Sequence, residues 1–361
     1  MLTMKNDSVL IVGGGPTGLT AALELARRGI ECRIIERRTE PSSLSRAVGI
    51  MPNTMRLLES SGAARMIRAE AIQISAAEIF LKGERILHLP MNEHSDPDIG
   101  LFCLPQDRTE SILASCLAGH SVNVEYGTSL RELEPSGDRV TCLIDDKAQD
   151  YSYVLGADGV QSTVRQQIGL EAEGYDLDGE WSIADVEAPD WHETPGVFRL
   201  FLQEDGIVIL VIPLSETRYR IVSTKPDALE VLDVKIPVEK LYRTANFEIS
   251  VRQVPDYRKG RVFLAGDAAH HHSPVGGRGM NLGIADAAYF ASCYIDQTLD
   301  SYSLDRHKIG AETIEFTEDA RKMITSGANF RLNTALHLLN VAALIPGVPA
   351  RLTKMLVGGE L

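Results

Sequence analysis

The chain has 361 residues, 44% hydrophobic and 24% charged, a composition ordinary for a globular protein with room for two domains and a sizeable core. A formal net charge of -14 argues against a nucleic-acid or anionic-membrane surface. Five scattered cysteines, Cys32, Cys103, Cys116, Cys142 and Cys293, form no C-x-x-C pair and point to a reducing, cytoplasmic setting, and no run reaches the ~18 apolar residues of a membrane span.

Val9 to Val12 read as a buried strand, reached without an apolar signal region, and Gly13, Gly15 and Gly18 then spell G-x-G-x-x-G. Pro16 to Arg28 carry helical periodicity, with Leu19, Ala22, Leu23 and Ala26 on one face, and Gly29 stops the helix. Ile30 to Ile35 read as a second strand ending at Glu36. The whole is a β-α-β unit. In it Gly13 permits the tight turn, Gly15 lets the backbone approach a pyrophosphate and Gly18 lets helix and strand pack closely. The phosphates then lie at the helix N-terminus, beside Pro16 and Thr17, where free N–H groups and the dipole favour anions. Glu36, about 20 residues on, suits a ribose diol. It would repel a 2′-phosphate, so Arg37 and Arg38 read either as a solvated strand end or as flanking the adenosine.

Residues 77–91 read as β-rich. Tyr151 to Leu155 read as a strand that turns at Gly156, Asp158 and Gly159, after which Ser162 can cap a short helix carrying Arg165. Residues 176 to about 252 are again β-rich, and "GIVILVIPLSETRYRIVST" looks like two strands joined by a turn. Phe198, Phe201, Arg218 and Tyr219 in that region suit a pocket or a core. Arg261 to Ala265 read as a buried strand ending in Gly266-Asp267. A loop rich in glycine follows, then a helix from about Met280 with Ala285, Ala288 and Tyr289 on its apolar face. Gly276, Gly277 and Gly279 let the backbone there lie close to a flat ligand. His270, His271 and His272 are adjacent in that loop, point in different directions and have no second Cys/His cluster, so no metal is expected.

The three segments, in this order, resemble the group A flavoprotein monooxygenases, the FAD-dependent aromatic hydroxylases related to p-hydroxybenzoate hydroxylase. The residues that carry the likeness are the N-terminal G-x-G-x-x-G, Gly156-Ala157-Asp158-Gly159, and the string G-D-A-A-H-x-x-x-P-x-x-G-x-G-x-N from Gly266 to Asn281. The resemblance implies an α/β fold: a Rossmann-like FAD-binding domain (1–75, 98–175 and 253–325) interleaved with a β-rich substrate domain (76–97 and 176–252), plus a C-terminal helical tail (326–361). It implies FAD as cofactor, NADH or NADPH as reductant and O2 as co-substrate. The reaction implied is hydroxylation of an aromatic or polyketide-like phenol through a flavin C4a-hydroperoxide, by a cytoplasmic monomer or homodimer.

Residue by residue, Gly13, Gly15, Pro16, Thr17 and Gly18 match the pyrophosphate turn, and Glu36 with Arg37 the adenosine side. Arg46 resembles an arginine along the FAD phosphates, and Gln106 a glutamine on the ribityl chain. Gly266 and Asp267 match the turn whose aspartate meets the ribityl hydroxyls. Pro274 matches the proline lining the flavin face, and Gly279, Met280 and Asn281 the helix start whose N–H groups meet the flavin pyrimidine edge. Asp158 and Arg165 match a segment serving FAD and the incoming coenzyme. Arg220 falls where relatives carry an arginine behind the flavin, although "TRYRIV" also reads as an edge strand, and Pro274 and Arg220 are the catalytic candidates that the resemblance implies. His270 reads as a packing residue, while His271 and His272 are left to face substrate or solvent. The tail, read as a helix to Ile345, a Pro-Gly-Val-Pro break and a short helix, resembles that of aromatic-polyketide and phenol hydroxylases without a further thioredoxin-like domain. A halogenase of this fold would carry W-x-W-x-I-P, which Trp181 and Trp191 do not form. A reductase or a non-catalytic FAD binder remains the alternative.

Overall fold

A computed structural model of the chain describes residues 8–91, 100–191, 194–203, 206–232 and 234–326, together with residues 336, 338–340, 342, 348 and 351–353. The first sheet has six strands in the order Arg258–Lys259, Val262–Leu264, Tyr153–Gly156, Val9–Val12, Cys32–Glu36, Val124–Tyr126. All its pairings are parallel except that of Arg258–Lys259. Val9 to Val12 are buried throughout, as expected of a strand covered on both faces. The helix Pro16–Ala26 packs against Gln106–Ala118 and against Gly279–Asp296. Among the described residues no helix is long and apolar enough to cross a membrane.

Two element boundaries differ from the sequence reading. The second strand begins at Cys32, not Ile30, because the Ile30 N–H still donates to the Leu25 carbonyl (3.1 Å) and closes the preceding helix. The expected strand Tyr151 to Leu155 divides at Ser152. Lys147–Tyr151 belongs to a three-stranded antiparallel sheet with Arg139–Ile144 and Leu130–Ser136, whereas Tyr153–Gly156 enters the parallel sheet beside Val9–Val12.

The second large sheet has seven strands in the order Lys240–Phe247, Trp181–Glu187, Arg218–Ser223, Val208–Pro213, Val197–Leu202, Ala76–Leu81, Glu84–Pro90. Val208–Pro213 and Arg218–Ser223 form the hairpin read from the sequence. Alternation sends Phe201, Ile209, Val211, Tyr219 and Ile221 to one face, where Ala228 and its neighbours cover them. The other face carries Phe198, Leu210, Ile212 and Val222 towards Val48, Ile74 and Cys103. Phe201 and Tyr219 are therefore core, and Phe198 is half-buried on the face turned to Val48, Ile74 and Cys103. Arg218 stacks over the Tyr242 ring at 4.2 Å. The strand of Arg220 lies inside the sheet, not at its edge. Of the tail, Leu336 packs on Leu81, Ile86, Leu202 and Val208. The expected break at 346–349 falls almost entirely outside the described residues.

Candidate functional site: a glycine-lined cleft

The candidate site lies at the carboxyl ends of the parallel strands, where ligands bind in open α/β sheets. Its three glycines have different surroundings. Gly13 has φ +115°, and a Cβ there would lie 2.3 Å from the Ala157 carbonyl oxygen. A Cβ on Gly18 would lie 1.9 Å from the Gly13 carbonyl oxygen. Around Gly15 no described protein atom comes within 4 Å of such a Cβ. Two glycines are thus demanded by the protein's own packing, and the third leaves space above a helix N-terminus whose first turn has no acidic residue. Beside the turn, Glu36 accepts from the Gly14 N–H at 2.8 Å and the Arg38 N–H at 2.9 Å. Burial alone would raise its pKa, but the Arg38 and Gly14 donors outweigh it and hold the carboxyl below the usual range. Arg37 is exposed.

Segment 45–47 brings Arg46 close enough to act on the Asp267 carboxyl. The Ala47 N–H donates to Gln106 Oε1 at 3.0 Å, and Arg220 donates to the carbonyls of Arg46 (2.7 Å) and Ser45 (3.0 Å). Arg243 donates to the Ser45 carbonyl as well. Arg220 is 1% exposed and also grips Asp185 through two bonds of 2.7 Å. Four of its N–H groups are committed, so its side chain positions the Arg46 segment rather than reaching a reacting atom. The Arg46 side chain itself is exposed.

The turn after Tyr153–Gly156 is built locally. Asp158 accepts from the N–H groups of Thr163 (2.7 Å) and Val164 (3.1 Å) and from the Ser162 hydroxyl, and Ser162 caps the helix Thr163–Gln167 by accepting from the Arg165 N–H. The Asp158 carboxylate is therefore turned to its own helix. Arg165 donates to the carbonyls of Ala268 (3.0 Å) and Val160 (2.7 Å), tying this turn to the one at Gly266.

At that second turn Gly266 has φ +59°, and a Cβ on it would lie 2.6 Å from Thr17 Oγ1. Asp267 follows. Its side chain is open to solvent at the cleft and makes no hydrogen bond among the described residues. The surrounding protein still raises its pKa by desolvation, against the opposing pull of His270 and Arg46. Pro274 is exposed on the loop that follows, and Gly279–Asp296 starts at Gly279. Residues 6–317, which include all of these segments, match the family model described as an FAD binding domain.

The chain belongs to the group A flavoprotein monooxygenase family.

It is 32% identical over 88% of its length to the 6-methylpretetramide 4-monooxygenase of Streptomyces rimosus, of which it spans 62%. It is 31% identical over 90% of its length to an uncharacterized aromatic compound monooxygenase of Bacillus subtilis, of which it spans 70%. The crystal structure of p-nitrophenol 4-monooxygenase from Pseudomonas putida shares the fold, with a TM-score of 0.85 at 23% identity over 98% of this chain and 100% of that one. The site in this flavoprotein suits FAD on two observations: the open space over Gly15, and the carboxylate of Asp267, which makes no hydrogen bond among the described residues.

Asn281 was singled out for its backbone, yet its side chain does much of the local construction. Its amide donates to the Gly49 (2.9 Å) and Gly277 (2.8 Å) carbonyls, and its Oδ1 accepts from the Met51 N–H (2.9 Å) and the Thr54 hydroxyl (2.7 Å). The histidine loop contains a short strand, His270–His271, paired with Ser250–Gln253. His270 is buried against Asp286 at 2.7 Å and stacks on Tyr257. Both ring nitrogens of His271 and the Nε2 of His272 are buried without a partner among the described residues, although both residues are half-buried overall. Among the described residues no group of three His, Cys, Asp or Glu is placed to hold a metal ion. The sequence reading missed Asp185, Asp286 and Arg306. A single aspartate inside the apolar run of Gly279–Asp296 was the available signal.

Proposed function

We propose that the protein is an FAD-dependent monooxygenase that hydroxylates an aromatic or polyketide-like phenol, consuming O2 and NADH or NADPH. The observation that carries this reading is the open backbone of Gly15 at the start of a helix whose Thr17 abuts Gly266, next to the exposed Asp267 carboxylate, which makes no hydrogen bond among the described residues. Bound FAD supplies the electron transfer and the oxygen chemistry. The chain's own groups bind and orient. The N–H groups of the turn from Gly13 to Gly18, with Pro16 and Thr17 at the helix start, hold the pyrophosphate. Glu36 takes the adenosine ribose, Asp267 the ribityl hydroxyls, and Arg46 the phosphates. The N–H groups of Met280 and Asn281 stabilise negative charge on the reduced ring. Gln106 and Arg220 fix the Arg46 segment, and Asp158 and Arg165 shape the backbone that meets the coenzyme. Half-buried Phe198, Leu210 and Val222, on one face of the second sheet, are the apolar candidates to meet an aromatic substrate, and Pro274 is the candidate to line the flavin face. The five free cysteines agree with a reducing cytoplasm, and a monomer or homodimer suffices for this chemistry.

The test is a panel of phenols and planar polycyclic compounds, with NADH and NADPH consumption, O2 uptake and product mass recorded. Stimulated coenzyme oxidation with a product one oxygen heavier is expected for at least one class. FAD-loaded protein that shows neither is a non-hydroxylating flavoprotein, and the proposal fails.

A further inference from the structure

Asp267 touches no other side chain by hydrogen bond among the described residues, so the direction of its carboxylate depends on the backbone of its turn. That backbone is held from the helix Gly279–Asp296. The ladder ends where the Ala265 N–H donates to the Gly156 carbonyl at 2.9 Å. The next N–H, that of Gly266, donates instead to Asp286 Oδ2 at 2.9 Å. The same oxygen faces His270 Nε2 at 2.7 Å, and Oδ1 accepts from Arg306 Nε at 2.6 Å. An ionised carboxylate only accepts, so the Nε2 of His270 carries the proton. Asp286 is fully buried and Arg306 is 4% exposed. Desolvation would raise the Asp286 pKa, but Arg306 and His270 overcome it and keep the group charged. One buried anion therefore fastens both ends of the segment Gly266 to His270.

We propose that Asp286 is a positioning residue for the cofactor: by holding Gly266 and His270, with Arg306 as its counter-charge, it aims the Asp267 carboxylate into the cleft. The inference rests on the FAD reading above and deepens it. Three donors converge on Asp286, and an asparagine has only one oxygen for them. Asp286→Asn therefore leaves a donor facing an amide N–H and strips Arg306 of its counter-charge, while keeping side-chain volume. Arg306→Gln in the same chain restores neutrality and offers an acceptor to the new amide.

The experiment titrates FAD into the apo forms of wild type, Asp286→Asn and Asp286→Asn/Arg306→Gln, following flavin fluorescence and the visible spectrum, with apo melting temperature alongside. Leu133→Ala, a core substitution in the separate three-stranded sheet, controls for simple loss of stability. The single variant is expected to bind FAD at least tenfold more weakly with an altered visible band, the double variant to come within about threefold of wild type, and the control to melt lower with unchanged affinity. If Asp286→Asn does not fold, His270→Gln and His270→Leu serve. The glutamine nitrogen takes the place of Nε2 and should retain affinity that leucine loses. Wild-type affinity in folded Asp286→Asn, equal weakening in the control, or no recovery in the double variant overturns the inference. Wild-type protein that takes up no FAD overturns the cofactor reading and this inference with it.

Discussion

Gly15 and Gly18 are separated by one turn of the same helix start, and the structure assigns them opposite failures on substitution by alanine. Gly15 stands at the N-cap with φ -82° and ψ -178°, extended backbone that alanine adopts freely, and no described protein atom lies within 4 Å of the new Cβ. Alanine is a poorer N-cap than glycine, which costs up to about 1 kcal/mol, and the stiffer unfolded chain returns about 0.4–1 kcal/mol. The net effect on folding is near zero, a change of no more than about 2 °C in melting temperature. On the FAD reading proposed above, the methyl group fills the space given to the pyrophosphate, so FAD affinity should fall at least tenfold, or by about 1.4 kcal/mol. Gly18→Ala is the reverse case. Its Cβ would lie 1.9 Å from the Gly13 carbonyl oxygen, a backbone atom of a residue itself packed against Ala157. Relief requires a backbone shift costing about 1–3 kcal/mol or more. Apo melting temperature by circular dichroism and FAD affinity by fluorescence titration, measured on both variants, separate the two. Unchanged FAD affinity in Gly15→Ala, or a loss of stability matching that of Gly18→Ala, would refute the assignment of Gly15 to a ligand.

Asp267→Ala should lose FAD affinity by about 1–3 kcal/mol, the cost of leaving hydroxyl partners unpaired, while the apo protein stays as stable because the exposed side chain makes no hydrogen bond among the described residues. His271→Ala and His272→Ala should keep their FAD, and flavin content after gel filtration compares the three. Arg220→Ala strips the buried Asp185 of its counter-charge and should destabilise the fold by about 3–5 kcal/mol in urea unfolding, whereas an effect confined to turnover would contradict the positioning role. Burial pushes the His271 and His272 pKa values down to about 4, so the unfolded chain, with histidines near the ordinary 6.5, binds more protons between those limits. Apo stability should therefore fall as pH drops from about 6.5 towards 4. His271→Gln/His272→Gln should flatten that dependence, and an unchanged slope in melting temperature against pH would show that these rings do not carry it.

Local order was plain in the sequence. The first β-α-β unit, the Ser162 cap, the hairpin Val208–Pro213 with Arg218–Ser223 and the start of the helix at Gly279 each follow from spacings of a few residues. Turn chemistry, helical period and strand alternation act at that range. The glycine motif likewise announced a nucleotide turn, and the string from Gly266 to Asn281 a flavin protein. What the sequence did not contain is which polar groups remain free once the chain has folded. Asp158 and Gln106, expected at the cofactor, and Arg220, a catalytic candidate, each hydrogen-bond within the protein, to a helix cap, to the Ala47 N–H and to Asp185 on the neighbouring strand. Asp286 drew no notice, because its partners at Gly266, His270 and Arg306 meet it only when helix, turn and the helix Leu299–Thr325 are packed together. Residue types and short-range order are written along the chain. Which carboxylate is left to meet a ligand is decided by burial and by partners distant in sequence, and that is the property of the tertiary structure that leaves Asp267 free and Asp286 engaged.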